Sequence, residues 1–287
     1  MELPEKDTQP EPSPLPPNLG IFDRINNYLL LFYAAACLLM NYSLAGFLYF
    51  KQMIMLSLWL PGILSILVPF YLLSQRSPFG FTREFRLTAP DPKALGLAIL
   101  VTGAAIVPID AFSSIFERMW PPDADYTTFI LSIKPKGTSS FVLIALGVVL
   151  AAGVTEELLF RGFIQRIFER NMSGPVAVVF AGLLFGLSHF NPPALPGVAA
   201  LGILFGYIFY RTQNLWYPIV GHAVFNMVTL VRLNAMTEEE ITSVKIETPP
   251  VSWILISIAV FVAALLLLRR FHPGRQSGSL PPPPRDI

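Results

Sequence analysis

The stretch from Thr138 to Met172 reads TSSFVLIALGVVLAAGVTEELLFRGFIQRIFERNM. This long apolar segment without proline is typical of a membrane-spanning helix, because crossing the hydrocarbon core of a bilayer takes about 20 apolar residues. Two adjacent carboxylates, Glu156 and Glu157, stand within it, and Arg161 follows them. Charged side chains inside a membrane are costly unless they are paired or hydrated, so the cluster indicates a functional site.

The composition of the whole chain is that of a membrane protein. Of its 287 residues, 53% are hydrophobic and 14% are charged, and the mean hydropathy is +0.57, which is too apolar for an ordinary soluble domain. The predicted fold class is all-α, a polytopic bundle of transmembrane helices with an intramembrane cavity. A net charge of +1 gives no support for nucleic-acid binding, and a single cysteine, Cys37, excludes an internal disulfide and a multi-thiolate metal site.

Eight apolar segments are predicted to span the bilayer as helices. The second of them contains Pro61, Gly62 and Pro69, which predict a kink. The predicted spans are 28–50, 53–73, 94–112, 141–161 with an amphipathic extension to 170, 176–190, 198–210, 215–232 and 253–268.

These spans divide the chain into five regions. When both termini are placed in the cytoplasm, most of the 20 basic residues fall on cytoplasmic segments, as the positive-inside rule requires. The regions are a disordered cytoplasmic tail at 1–27, the first three spans with their loops at 28–138, a core at 139–232 that carries the charged cluster, an extracytoplasmic loop and the last span at 233–270, and a second disordered cytoplasmic tail at 271–287.

Two of the three histidines lie within predicted spans. His189 follows Phe185 by four residues, and His222 precedes Asn226 by four, so each pair shares one face of its helix. A single histidine in a membrane is as well explained by a hydrogen bond between helices. Two histidines together with an amide and two glutamates favour a site.

The two glutamates are predicted to have different tasks. Glu157 and Arg161 stand at positions i and i+4 with the acid first, which is the favourable order for an ion pair that stabilises the helix end. Glu156 points about 100° away around the helix and has no partner nearby in sequence. It therefore suits general acid/base work on a water molecule that His189 helps to orient.

The remaining polar groups fit the stabilisation of developing charge. His222 and Asn226 could donate hydrogen bonds to a carbonyl oxygen as it becomes an oxyanion. The four groups together describe attack of water on an amide without a cofactor. A divalent metal such as zinc is an alternative that we place second, because Arg161 would then lose its partner. Its predicted ligands would be Glu156, Glu157, His189 and His222.

At these residues the chain resembles the family of CAAX proteases and bacteriocin-processing enzymes, which are membrane-embedded. The pattern of that family is Glu-Glu-x3-Arg, then Phe-x3-His, then His-x3-Asn, in this order and each on a helix. In this chain the motifs are Glu156-Glu157 with Arg161, Phe185 with His189, and His222 with Asn226.

The resemblance implies an endopeptidase that opens toward the cytoplasm and acts on a peptide or a lipidated protein, prenylated in the eukaryotic branch. It implies water activation by Glu156 with His189 and an oxyanion site at His222 and Asn226. The family is often labelled metalloprotease. Some members act as scaffolds or in bacteriocin immunity, so a non-catalytic membrane protein is the alternative, and a proton-coupled transporter is a third. Nothing in the sequence indicates an oligomeric state.

Overall fold

The computed structural model describes residues 20–243 and 248–270, and in these residues it contains helices and no strand. The predicted all-α fold is thereby confirmed. In chain order, α1 to α12 are Ile21–Arg24, Asn27–Phe50, Ile54–Ser74, Gly80–Glu84, Pro92–Met119, Ala124–Ser132, Thr138–Glu169, Gly174–Leu187, Leu195–Thr212, Trp216–Ala235, Glu238–Thr242 and Val251–Arg270.

Six of these helices are long and apolar enough to cross a membrane, namely α2, α3, α5, α7, α9 and α12. Each of the eight predicted spans lies on a helix. The fifth predicted span is α8, which has only 14 residues, and the seventh is α10, a helix of 20 residues. Several apolar helices make the chain an integral membrane protein, and the number of crossings stays a prediction.

The predicted tail at 1–27 is wrong in its last part. Ile21 and Phe22 belong to α1, and both side chains are buried in the hydrophobic core. Burial of these two apolar side chains, Phe22 against Phe163 of α7, stabilises an ordered structure at this point of the chain. The remainder of this predicted tail, 1–19, and the whole of the predicted tail at 271–287 lie outside the described residues.

The kink predicted in the second span is confirmed. The helix is interrupted by a turn at Leu58 and Trp59, directly before Pro61, and it continues through a π-helical segment at Ile63–Leu67. Proline lacks the backbone N–H that would continue the helical ladder, which explains the break.

Helix α7 is the centre of the bundle and is itself irregular. A regular stretch at Gly153–Leu159 carries both glutamates and is flanked by π-helical segments at Ala145–Ala152 and Phe160–Gln165. Such wide turns inside a helix occur frequently at functional sites. Beyond the glutamates, Phe163 stacks on Phe70 of α3 with 4.7 Å between ring centroids, so this half of α7 is fixed in the core.

Helices α8 and α9 form an antiparallel pair at very short distance. A Cβ atom added to Gly182 would come within 2.5 Å of the backbone nitrogen of Ile203, and one on Gly202 within 2.7 Å of the carbonyl oxygen of Gly182. Only glycine allows this approach, which is typical of helix packing in membranes. The close pairing brings the end of α8 with His189 and the inner face of α9 against α7.

Candidate active site

Glu156 lies between the two histidines of the predicted site. Its Oε2 atom is 3.9 Å from Nε2 of His189 and 3.9 Å from Nε2 of His222. These distances are too long for direct hydrogen bonds but leave room for a small group held by all three atoms. The Glu156 side chain is 29% exposed, so this space is accessible from outside the protein core.

His189 lies just beyond the end of α8 and is oriented by its own backbone. Its Nδ1 atom is 2.8 Å from the carbonyl oxygen of Phe185. Because a carbonyl oxygen can only accept, Nδ1 carries the hydrogen, and in the neutral ring the lone pair is on Nε2. The nitrogen that faces Glu156 is therefore the one that can accept a proton or a hydrogen bond.

His222 is held from behind by the second glutamate. Its Nδ1 atom donates to Oε1 of Glu157 at 2.8 Å, and the same oxygen accepts from Arg161 at 2.7 Å. The predicted ion pair between Glu157 and Arg161 is thus confirmed. The pair lies inside the protein core, because both side chains are fully buried. Without neighbouring aromatic rings and a third partner, two charges could not be buried so deeply.

The third partner of this network comes from α9. Arg161 donates a second hydrogen bond to the carbonyl oxygen of Gly202 at 2.9 Å. The rings of Phe185 and Phe205 cover the Arg161 guanidinium at 4.5 and 5.5 Å from their centroids. These contacts satisfy the hydrogen-bond donors of the buried arginine and shield it from water.

Phe185 and Phe205 also form the walls of the histidine site. Phe185 makes edge contacts with His189 and His222 at 4.7 and 5.9 Å. Phe205 stacks on the His222 ring at 5.3 Å with an angle of 25° between the planes. The two rings exclude water from one side of the site and fix the plane of each imidazole.

Asn226 has a structural bond that the sequence did not indicate. Its Nδ2 atom donates to the carbonyl oxygen of Val148, within the first π-helical segment of α7, at 2.8 Å. The amide carries two hydrogens on this nitrogen, so one stays available for another acceptor. Asn226 therefore ties α10 to α7 one helical turn from His222.

The proposed metal ligands are not arranged for a metal ion. Within residues 20–243 and 248–270, no three His, Cys, Asp or Glu side chains are grouped so that they could hold one. One Glu157 oxygen, Oε1, is occupied by Arg161 and by Nδ1 of His222. The predicted set of four ligands is therefore not assembled with Glu157 here, and metal dependence stays a prediction.

Three contributors to the site were missed by sequence reasoning. Phe205 and the carbonyl of Gly202 come from α9, and the hydroxyl of Tyr42 in α2 donates to the carbonyl of Ser188, beside His189. Gly202 and Gly206 are four residues apart, a spacing that is typical of close helix packing in membranes and gives no indication of a role in the site. Tyr42 lies in a span that carries no distinctive motif.

The fold and the site together define an integral membrane protein with a glutamate and two histidines facing one another from three helices. Residues 138–228, which contain all three motifs, match the family described as type II CAAX prenyl endopeptidase, Rce1-like. This match agrees with the motif resemblance and supports a CAAX-type membrane protease.

A curated relative is similar to about half of the chain. It is named "Putative membrane peptidase YdiL", from Bacillus subtilis (strain 168), and is 22% identical over 145 residues. The alignment covers 48% of this chain and 57% of the relative, so the chain spans little more than half of the relative's length. No solved structure matches the chain significantly.

Proposed function

We propose that this protein is an endopeptidase that hydrolyses a peptide bond of a membrane-associated or lipidated substrate, using a water molecule activated by Glu156 and His189. The observation that carries the proposal is the equal spacing of 3.9 Å from the Glu156 carboxylate to both histidine Nε2 atoms. The family description, which names CAAX prenyl endopeptidases, supports this substrate class.

In the proposed reaction, Glu156 takes a proton from water while the water oxygen attacks the peptide carbonyl carbon. Nε2 of His189 accepts a hydrogen bond from the other hydrogen of the water and so orients the water for attack. The carbonyl π bond opens to an oxyanion. When the tetrahedral intermediate collapses, the carbon–nitrogen bond breaks and Glu156 gives its proton to the leaving amine, so the products are an acid and an amine.

His222 and Asn226 are the proposed oxyanion donors. The Nδ1 atom of His222 already donates to the Glu157 carboxylate, so its Nε2 atom is the one that faces the substrate and would donate to the oxyanion when it carries a hydrogen. Asn226 contributes its second amide hydrogen, since the first is bonded to Val148.

The test compares Glu156→Gln and His189→Ala with the parent protein, solubilised in detergent and given a lipidated peptide. We expect Glu156→Gln to lower cleavage by about 10²- to 10⁴-fold, because removal of a general base has effects of this size. Glu238→Gln, in the exposed helix α11, is the matched control and should cleave like the parent. Unchanged cleavage by both site variants would refute the proposal.

The two alternatives predict other outcomes for the same variants. A scaffold or immunity protein would retain its biological effect when Glu156 is replaced by Gln. A transporter would catalyse uptake into proteoliposomes driven by a pH gradient, and that uptake would depend on Glu156.

Metal dependence is tested separately, since we propose direct activation of water. Elemental analysis of active, purified protein should find far less than one transition metal per chain, and chelators should leave cleavage unchanged. About one tightly bound metal per chain, lost together with activity, would contradict this mechanism.

A further inference from the structure

A groove runs between α9 and α12 on the outer surface of the bundle. Two adjoining cavities of about 440 and 400 Å³ share the side chains of Tyr207, Tyr210 and Leu265. The groove exists because α12 packs chiefly against α5, through residues such as Ala264, and so leaves a gap toward α9. Its walls are otherwise almost entirely apolar.

One end of the groove is positively charged. Arg211 and Arg269 line the larger cavity, and neither has an ion-pair partner within residues 20–243 and 248–270. Arg211 donates one hydrogen bond to the carbonyl oxygen of Arg269 at 2.7 Å. Its Nε atom is buried and has no hydrogen-bond partner among the described residues, although a buried donor of this kind is normally satisfied.

We propose that this groove binds one anionic phospholipid, with an acyl chain along the apolar walls and the phosphate at Arg211 and Arg269. The occupant must combine a long apolar part with an anionic head, because the walls and the end of the groove have these complementary properties. Arginine binds phosphate through charge-assisted hydrogen bonds, and basic pockets between membrane helices are typical sites for lipid headgroups. Arg211 gives one hydrogen bond to the Arg269 carbonyl, and its guanidinium has further hydrogens that can donate to such a phosphate.

The lipid would support the candidate site from the far side of α9. Ile203, Tyr207 and Tyr210 face the groove, whereas Gly202 and Phe205 on the same helix contact Arg161 and His222. An acyl chain in the groove would thus pack against α9, the helix that covers the site. Lipid binding does not require peptidase activity. The test of lipid binding is therefore independent of the test of the proposed function.

The test measures lipid binding to the full chain in detergent by native mass spectrometry, with phosphatidylglycerol and phosphatidylcholine as probes. We expect one tightly held phosphatidylglycerol per chain and weaker binding of phosphatidylcholine. The double variant R211Q/R269Q should bind phosphatidylglycerol about 10- to 30-fold more weakly, since it loses two basic groups at the membrane surface.

The matched control is R76Q/R170Q, which removes the same charge from two exposed arginines outside the groove and should bind like the parent. Leu265→Trp fills the groove while both groove arginines remain, and it should also weaken binding. Equal binding by R211Q/R269Q and the parent, or an equal loss in R76Q/R170Q, would overturn the proposal. Stronger binding of phosphatidylcholine, or displacement of phosphatidylglycerol by a farnesylated peptide, would also overturn it.

Discussion

Glu156 and Glu157 are neighbours in the chain, yet their surroundings are opposite. Glu157 is fully buried, and one of its oxygens accepts hydrogen bonds from Arg161 and His222. Glu156 is 29% exposed and its nearest charged or titratable partners are 3.9 Å away. The two side chains point in different directions because successive residues are rotated by about 100° around the helix axis. The hydrogen-bonded carboxylate of Glu157 thus stabilises the packing of the site, whereas the exposed carboxylate of Glu156 is available for the proposed reaction.

The largest effect is expected from Glu157→Gln, which should strongly lower the stability of the protein. The change leaves Arg161 buried without its countercharge, and such a broken buried pair destabilises a protein by about 3–5 kcal/mol. Thermal unfolding in detergent measures the effect. Glu156→Gln is the matched variant one residue away, and its unfolding temperature should remain close to that of the parent. Equal destabilisation by the two variants would contradict the division of tasks.

A smaller effect is expected from Phe205→Leu, which tests whether the aromatic wall matters for His222. Loss of the stacking contact removes about 0.5–1.5 kcal/mol beyond the burial of area, so cleavage should fall by up to about tenfold. Cleavage rates at saturating and limiting substrate separate orientation of His222 from binding. Phe209→Leu, in the same helix one turn away and also buried, is the control and should affect stability but not cleavage.

The smallest effect concerns Glu240, a carboxylate that is bonded but exposed. The backbone N–H and the hydroxyl of Thr237 donate to its Oε2 atom and hold the pKa of this carboxyl below its ordinary value of 4.5. Because the pKa of Glu240 is lower in the folded state, its stabilisation of α11 is fully present above pH 4.5. It is lost as the pH falls through the folded-state pKa.

Hydrogen exchange of the Thr237 amide measures this loss. Protection should decrease below pH 4.5 in the parent and remain independent of pH in Glu240→Gln, whose amide oxygen still accepts the capping bond but does not titrate. A similar decrease in both proteins would show that Glu240 is not responsible. Glu240 is hydrogen-bonded but exposed, whereas Glu157 is both hydrogen-bonded and buried. The experiment therefore measures what hydrogen bonding alone contributes to stability.

Much of the fold and part of the site could be predicted because they depend on local patterns. Apolar runs of sufficient length predicted the helices, and the i, i+4 spacing predicted the pair of Glu157 with Arg161. The second bond of Glu157, to His222, joins residues 65 positions apart. Such a contact depends on how the helices pack, and short motifs carry no information about it.

The other differences have the same origin. Phe205 has no motif of its own, and it packs against His222 where Gly221 of α10 has no side chain, since a Cβ there would come within 3.1 Å of the Phe205 ring. The two π-helical segments of α7 cannot be recognised from apolar periodicity, since a wider turn changes the direction of side chains without changing their composition. The predicted tail was too long because two apolar residues are too few to show a periodic pattern.

The bond from Arg161 to Gly202 also bears on how the chain enters the membrane. Arg161 finds one acceptor on its own helix, but the other lies 41 residues later in the chain. At the centre of an inserting helix, an arginine costs about 2.5–3.5 kcal/mol. We expect the second half of α7 to settle in the bilayer only when α8 and α9 have been synthesised, so the order of synthesis becomes part of the assembly of the site.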